Sequence, residues 1–363
     1  MKNLLFYYPR HFNRSARGTN PFFDPLLEAC DEAGIPYDLY EEPDNGTDKP
    51  RNEKAKSATC FYWTITVLRK IVSILRRDIS STHRDRIAAR IFNFITLGRW
   101  KYKTYVSISG SMESIFLALN PKAKVIEMQH GLDCANKVSY FADNQLYEAY
   151  RSPNWHLLSW GEGFRQSVLL GHEKELEGRV HVVGCPTFQA TKPTERHPEF
   201  IVFSLQFTHD WAEPKRQKAK DFLVETLEQL RDCGHPVLLK HHPRFNNSID
   251  LSDIYERFPF VTETKEPLHK LQARTLLHVT FYSTTAFEFA AAGIPTFFMA
   301  NDDFPEGKTL FYEEYRYPVY EGMKIGEVVK KLENSDDETT MKKWYESFYL
   351  VFDKQKFINF VTQ

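Results

Sequence analysis

The chain has 363 residues, 42% hydrophobic and 26% charged, with a net charge of −1. That length exceeds what one hydrophobic core supports, so two domains are expected. The near-zero charge gives the chain as a whole no basic bias toward nucleic acid. Its five cysteines (Cys30, Cys60, Cys134, Cys185, Cys233) contain no C-x-x-C pair, which argues against a disulfide framework or a zinc site and for a reducing cytoplasm.

The opening residues, MKNLLFYYPRHF, hold too short an apolar run for a signal peptide and read as a strand over 4–8. Asp24 as N-cap, Pro25 at the first helical position and Gly34 as the stop bound a helix. PYDLYEE follows as a second strand, and this strand–helix–strand rhythm predicts a parallel sheet. Residues 41–58 are polar and read as a mobile loop. Residues 61–97 show helical apolar spacing in two segments. Across 51–103 there are thirteen Lys and Arg against three acidic residues. Such a run is either a solvated helical face or a patch for anionic lipid headgroups or a polyanionic acceptor. Its longest apolar stretch, FYWTITVLRKIVSILRR, is broken by Arg69 and Lys70 and does not read as a membrane span. The expectation is a cytoplasmic protein, soluble or at most peripheral on the inner face of the plasma membrane.

TYVSIS, GSMESIFLALN and KVIEMQHG repeat the strand–helix–strand rhythm, and NWHLLSWGEGF and RVHVVGCP supply two more strands around the helix RQSVLLGHE. After the Pro- and Thr-rich GCPTFQATKPTERHPEF a second series begins. FIVFSLQF, PVLLKHHPR and the stretch TLLHVTFYSTTAFEFAAAGIPTFFM carry its strands, and KAKDFLVETLEQLRDCG an amphipathic helix. From Lys324 the chain closes in two charged helices. The expected division is an N-terminal Rossmann-like domain over 1–184 with a basic helical insert at 51–103, and a C-terminal one over 199–340. A final helix within 341–363 is expected to pack back on the first domain.

Open α/β sheets bind ligands beyond the carboxyl ends of their strands. Four stretches lie there: Gly110-Ser111-Met112-Glu113, Gln129-His130-Gly131, Lys240-His241-His242-Pro243-Arg244 and Ser283-Thr284-Thr285. Lys240 and Arg244 offer fixed positive charge and His242 ring N–H groups, a set suited to phosphate. Metal ligation by His241 and His242 is disfavoured, because adjacent strand residues point to opposite faces. A structural histidine pair is the plain alternative. Ser283 and Thr284, at a helix start, suit an anion or simple capping. Glu288, one turn on in an otherwise apolar helix, needs a partner, and ribose hydroxyls are a natural one. Gln206, at the end of FIVFSLQF, joins this nucleotide-binding set. His130 can take a proton from a hydroxyl at neutral pH, with Glu113 and Asp133 as reserve bases. The NAD glycine fingerprint, the P-loop and the Asp-x-Asp metal motif are all missing, so no cofactor or metal is expected beyond a nucleotide-linked substrate.

QHG closing a strand in the first half, VVGCP before the linker, then KHHPR and STTAFEFAAAGIP in the second resemble the GT-B glycosyltransferases. That fold implies two Rossmann-like doubly wound parallel-sheet domains facing a central cleft. Within it, a His-Pro element followed by Ser-Ser/Thr is similar to bacterial sialyltransferases and capsule Kdo-transferases. The His-Gly and His-Pro elements also resemble the CDP-glycerol glycerophosphotransferases of teichoic acid synthesis. The resemblance implies that His242, Ser283 and Thr284 hold the donor phosphate, Glu288 the ribose, and His130 the acceptor hydroxyl. The sialyltransferases carry a paired acidic motif before a glycine in the first half, which this chain lacks; Gly161-Glu162-Gly163 is a partial echo. The expected activity is metal-independent transfer of a CMP-, CDP- or UDP-linked sugar, first a CMP-linked acidic sugar such as Kdo or a nonulosonic acid. The acceptor would be a glycan or lipid-linked glycan of a bacterial capsule, O-antigen or other surface polymer. Transfer of a phosphoalditol, epimerisation of a sugar nucleotide, and a non-catalytic glycan-binding or scaffolding role in capsule assembly are the alternatives.

Overall fold

Residues 4–8, 104–108 and 125–128 are buried on both faces, as central strands of a parallel sheet must be. A computed structural model describes residues 2–9, 18–42, 49–108, 110, 112–135, 137–188, 196–207, 211–242, 249–332 and 337–363. The chain divides into two units, Met1–Gln189 with Phe348–Gln363, and Ala190–Ser347.

The first unit runs β1 (Lys2–Tyr8), α1 (Asp24–Glu32), β2 (Tyr37–Glu41), β3 (Ala55–Ser57), α2 (Thr59–Leu75), α3 (Ser81–Ile95), β4 (Tyr102–Ile108), α4 (Glu113–Leu119) and β5 (Lys124–Met128). A small hairpin, β6 (Phe141–Ala142) and β7 (Gln145–Leu146), precedes β8 (Trp155–Ser159), α5 (Glu162–Leu169), α6 (Glu173–Leu176) and β9 (Val180–Val182). Seven strands pair in the order β3-β2-β1-β4-β5-β8-β9, all parallel. The chain's high aromatic content fills the layer above this sheet: Phe61 stacks on Trp100 at 4.2 Å and Tyr105 on Phe116 at 4.7 Å.

The second unit holds β10 (Phe200–Ser204), α7 (Glu213–Gln229), β11 (Val237–Lys240), α8 (Ser252–Arg257), β12 (Val261–Glu263), α9 (Leu268–Leu271), β13 (Thr275–Thr280), α10 (Thr285–Ala291), β14 (Thr296–Phe298) and α11 (Ile325–Leu332). Its five parallel strands run β12-β11-β10-β13-β14. Both sheets reverse direction once, between β1 and β4 and between β10 and β13. These are the topological switch points, where loops diverge and leave a crevice.

Two further helices, α12 (Glu338–Phe348) and α13 (Lys354–Thr362), close the chain. Residues 350–353 return to the first unit. There Cys185 N–H donates to Leu350 O and Asp353 N–H to Val183 O, each at 2.8 Å. Lys124 Nζ then donates to Phe360 O at 2.7 Å, anchoring α13.

Several local expectations need correction. The polar stretch 41–58 is more than a loop, since it contributes edge strand β3; within it Glu41 accepts from the backbone N–H groups of Arg51 and Asn52. Asp24 is the first helical residue and not the cap. Asn20 Oδ1 accepts from the N–H groups of Phe22 and Phe23 instead. The chain closes in three helices, α11 to α13, instead of two.

The return segment makes one glycine indispensable. Gly184 has φ +87, and a Cβ there would lie 2.2 Å from Val351 O. Gly184→Ala is expected to lower unfolding free energy by roughly 3 kcal/mol in urea titration. Gly178, also at positive φ but facing open space, should cost only about 1 kcal/mol as Ala.

Candidate functional site

At the carboxyl edge of the first sheet, Gln129 is fully buried directly after β5. Its amide oxygen accepts from Trp160 N–H at 2.8 Å and from Ser159 Oγ at 3.1 Å, both at the exit of neighbouring β8. Its Nε2 donates to Gly131 O at 2.8 Å. The side chain therefore closes a tight loop around His130, which sits half-buried at the sheet edge. Gly131 is not in the left-handed region, and a Cβ on it would meet nothing. Neither strain nor crowding within the fold requires glycine there.

The two reserve bases are placed differently from the expectation. Glu113 is 1% exposed, accepting from Ser107 Oγ at 2.5 Å and from Met112 N–H at 3.0 Å. Asp133 is fully buried and ion-paired with Lys137. Burial removes both from the reach of an acceptor hydroxyl, which leaves His130 as the base candidate in this unit.

Sequence reasoning passed over Glu127, the third carboxylate of this interior. It is fully buried in β5; Tyr140 donates to its Oε1 at 3.3 Å, while Oε2 has no partner among the described residues. Burial holds its carboxyl well above the usual range, and the charges of Glu113 and Asp133 push it further. Burial likewise raises Glu113 and Asp133, with Ser107 and Lys137 respectively opposing. Three carboxylates crowded in a low dielectric, with Lys137 and more distantly Arg69 as counter-charges, resist ionising together. The available signal was a charged residue inside the apolar run VIEM, which a buried strand does not tolerate unpaired.

In the second unit the switch point carries an arrangement parallel to that of Gln129. Gln206, beyond β10, accepts on Oε1 from Tyr282 N–H at 2.8 Å and from Thr280 Oγ1 at 3.3 Å, both beyond or at the end of β13. The Thr280 hydroxyl has one proton and lies closer to Ser204 O, at 2.9 Å, so the Tyr282 N–H is the firm bond to the Gln206 oxygen, and Nε2 is its donor for a ligand. Ser283 follows directly; its Oγ accepts from Thr285 N–H at 3.3 Å in a short capping turn. Thr284 is exposed and makes no side-chain cap. Glu288 is exposed as well, while Phe287 and Phe289 on either side point inward. Phe287 and Phe289 turn to the other face of α10, yet packing around the Glu288 carboxyl still raises it above its ordinary value.

Beneath this edge lies His278, fully buried, another residue that sequence reasoning passed over. Its Nδ1 lies 2.9 Å from Thr296 Oγ1 and its Nε2 2.9 Å from Ser204 Oγ and 3.3 Å from Thr285 Oγ1. It links β10, β13, β14 and the start of α10, and burial lowers its pKa to about 3, so it is neutral. Its role is to position the edge.

Beyond β11, Lys240, His241 and His242 line a cleft of about 760 Å³ together with Tyr255, Glu263 and the 249–252 turn. Lys240 Nζ donates to Glu266 O at 2.7 Å, so part of its hydrogen-bonding capacity is committed. Burial lowers His241, with Glu263 opposing. Pro243 and Arg244 lie outside the described residues. Among the described residues, no group of three His, Cys, Asp or Glu side chains could hold a metal ion.

The carboxylate interior of the first unit generates a pH-dependent expectation. Because the folded Glu127 sits above its ordinary value of 4.5, ionising it favours unfolding, and stability is lost as pH rises beyond that value. Glu127→Gln should therefore unfold several degrees above the wild type at pH 8 by calorimetry, where about 1 kcal/mol corresponds to roughly 2–4 °C. The gap should close toward pH 4.

No protein-family profile matches the chain, and a search of curated proteins finds no match. Solved structures do align along nearly its whole length. The Staphylococcus aureus MnaA–UDP complex has TM-score 0.53 at 11% identity, covering 99% of this chain and 96% of that one. Methanocaldococcus jannaschii UDP-GlcNAc 2-epimerase, in complex with UDP-GlcNAc and UDP, has TM-score 0.52 at 13% identity, covering 99% of each chain. The wall teichoic acid polymerase TagF aligns at TM-score 0.48 and 18% identity, covering 99% of this chain and 87% of that one. At these identities the likeness is one of fold: two Rossmann-like doubly wound parallel sheets, the GT-B class.

Proposed function

We propose that this protein is a GT-B enzyme that transfers a sugar from a nucleotide donor to a hydroxyl of a bacterial surface glycan. The observation carrying this reading is the carboxyl edge of the second sheet. There the ends of β10 and β13 carry Gln206, Ser283 and Thr284 at the switch point, while the end of neighbouring β11 carries Lys240, His241 and His242 on its own cleft of about 760 Å³, lined also by Tyr255 and Glu263. Two solved structures that share the fold, MnaA and a UDP-GlcNAc 2-epimerase, contain UDP, which adds support for a nucleotide ligand.

In this mechanism His242 and the hydroxyls of Ser283 and Thr284 hold the phosphate and stabilise the negative charge that grows on it as the sugar leaves. Arg244 adds a second positive charge, and Lys240 contributes the N–H bonds left over from Glu266. Gln206 Nε2 supplies another donor, and the exposed Glu288 carboxylate accepts from ribose hydroxyls. His130, held by the Gln129 loop, takes the proton of the attacking acceptor hydroxyl. The His-Pro and Ser-Thr pair favours a CMP-linked acidic sugar such as Kdo or a nonulosonic acid as donor. A CDP-alditol as donor would use the same phosphate grip.

A second reading, epimerisation of a UDP-linked sugar without an acceptor, is favoured by the fold shared with the two UDP-containing structures. Titration with CMP, CDP, UDP and GDP tests the nucleotide site. A true ligand at a hundred times its Kd should add about 2.7 kcal/mol of stability. His242→Ala should weaken that ligand at least roughly tenfold, whereas His130→Ala should bind it normally and lose turnover. No response to any nucleotide would refute the site. Conversion of UDP-GlcNAc without acceptor would select the epimerase reading.

A further inference from the structure

The basic segment of the first unit is an α-helical hairpin. Arg69 pairs with Asp85 at 2.6 Å, Arg84 donates to Ser73 at 3.0 Å, and Phe61 packs edge-on against Phe92, which sets α2 and α3 antiparallel. Ser80 caps α3 by accepting from His83 N–H. The inner face of α2 buries Phe61, Ile65 and Val72. Its outer face should by ordinary amphipathic logic be polar. It is not: Trp63, Val67, Ile71, Ile74 and Leu75 all point outward, and Leu75 is 73% exposed. Their spacing of four, four, three and one residues puts them on one stripe, roughly opposite the buried one.

The end of α3 continues the pattern. Ile91, Ile95, Phe94 and, just beyond, Leu97 are exposed, the last two at 82% and 84%. Leu97 also has φ 50, a left-handed conformation in which Asn or Gly would be cheaper. Scattered surface apolar residues are ordinary, but this many large ones concentrated on one hairpin mark an interaction surface.

Charge identifies the occupant. Between residues 59 and 103 there are ten Lys and Arg against two Asp, in a chain whose net charge is −1. Lys70, Arg76, Arg77, Arg90, Arg99 and Lys101 are exposed among or beside the apolar residues. A second copy of the hairpin would bring like charges together, whereas an anionic lipid surface satisfies both features at once. No helix among the described residues is long and apolar enough to cross a membrane.

We propose that α2 and α3 form a monotopic membrane anchor: their outward side chains enter the headgroup–acyl boundary of an anionic bilayer, and the surrounding Lys and Arg bind its phosphates. An interfacial helix needs this combination of an apolar face and a cationic rim. The surface is independent of the nucleotide-binding reading, and nucleotide titration of the variants below separates the two.

The test is co-sedimentation of the full chain with vesicles of phosphatidylcholine alone or mixed with phosphatidylglycerol. Wild type should partition onto the mixed vesicles and only weakly onto the neutral ones. Phe94→Ser with Leu97→Ser, and separately Ile74→Ser with Leu75→Ser, should each lower the partition coefficient at least roughly tenfold. Since these side chains are exposed, unfolding temperatures should not fall. Lys70→Glu with Arg77→Glu should weaken binding and flatten its salt dependence; Arg69 is unsuitable because it is tied to Asp85. Wild type remaining in the supernatant, or serine variants binding as wild type does, overturns the proposal. So does a wild-type dimer that the serine variants convert to monomer, which would make the occupant a second copy.

Discussion

Each sheet is fastened at its carboxyl edge by the same interaction. A glutamine just past one strand accepts, on its amide oxygen, the backbone N–H at the exit of the neighbouring strand: Gln129 from Trp160, and Gln206 from Tyr282. Parallel strands have no hairpin to hold their ends together, and twist separates them where the loops begin. An amide is suited to bridging that gap because it accepts and donates from one planar group. In the first unit the same side chain also folds the backbone around His130. The residues with chemical potential are thus set by glutamines that do no chemistry on the oxygen side.

Charge is handled in opposite ways inside and outside the first unit. Its interior concentrates Glu113, Glu127 and Asp133 beside Lys137 and Tyr140, a composition that suppresses ionisation. Its α2–α3 hairpin concentrates positive charge on the surface, leaving the rest of the chain net acidic. The second unit avoids buried charge at its centre by using a neutral histidine, His278, as a three-way hydrogen-bond hub among hydroxyls. Burial disfavours an imidazolium there, which makes the hub insensitive to neutral-range pH.

The stretches flagged at strand ends did fall at strand ends, because apolar runs of four to eight residues bounded by Gly, Pro or Asn carry their own boundaries. What those side chains do was less legible. Glu113 and Asp133 looked like reactive carboxylates, yet sequence adjacency to a strand end does not reveal which way a side chain points. Glu288 looked embedded among apolar neighbours, but helical periodicity places it on the opposite face from Phe287 and Phe289.

Periodicity and turn residues alone determined that the chain forms two parallel α/β series with their polar clusters at the carboxyl edges. The 3.6- and 2-residue repeats encode local structure within each segment. Only tertiary structure decided that Gln129 and Gln206 are fasteners, that Glu127 shares an interior with two other acids, and that the second apolar stripe of α2 finds no partner among the described residues. Each of these depends on what packs opposite a side chain, which the periodicity of a single segment does not encode.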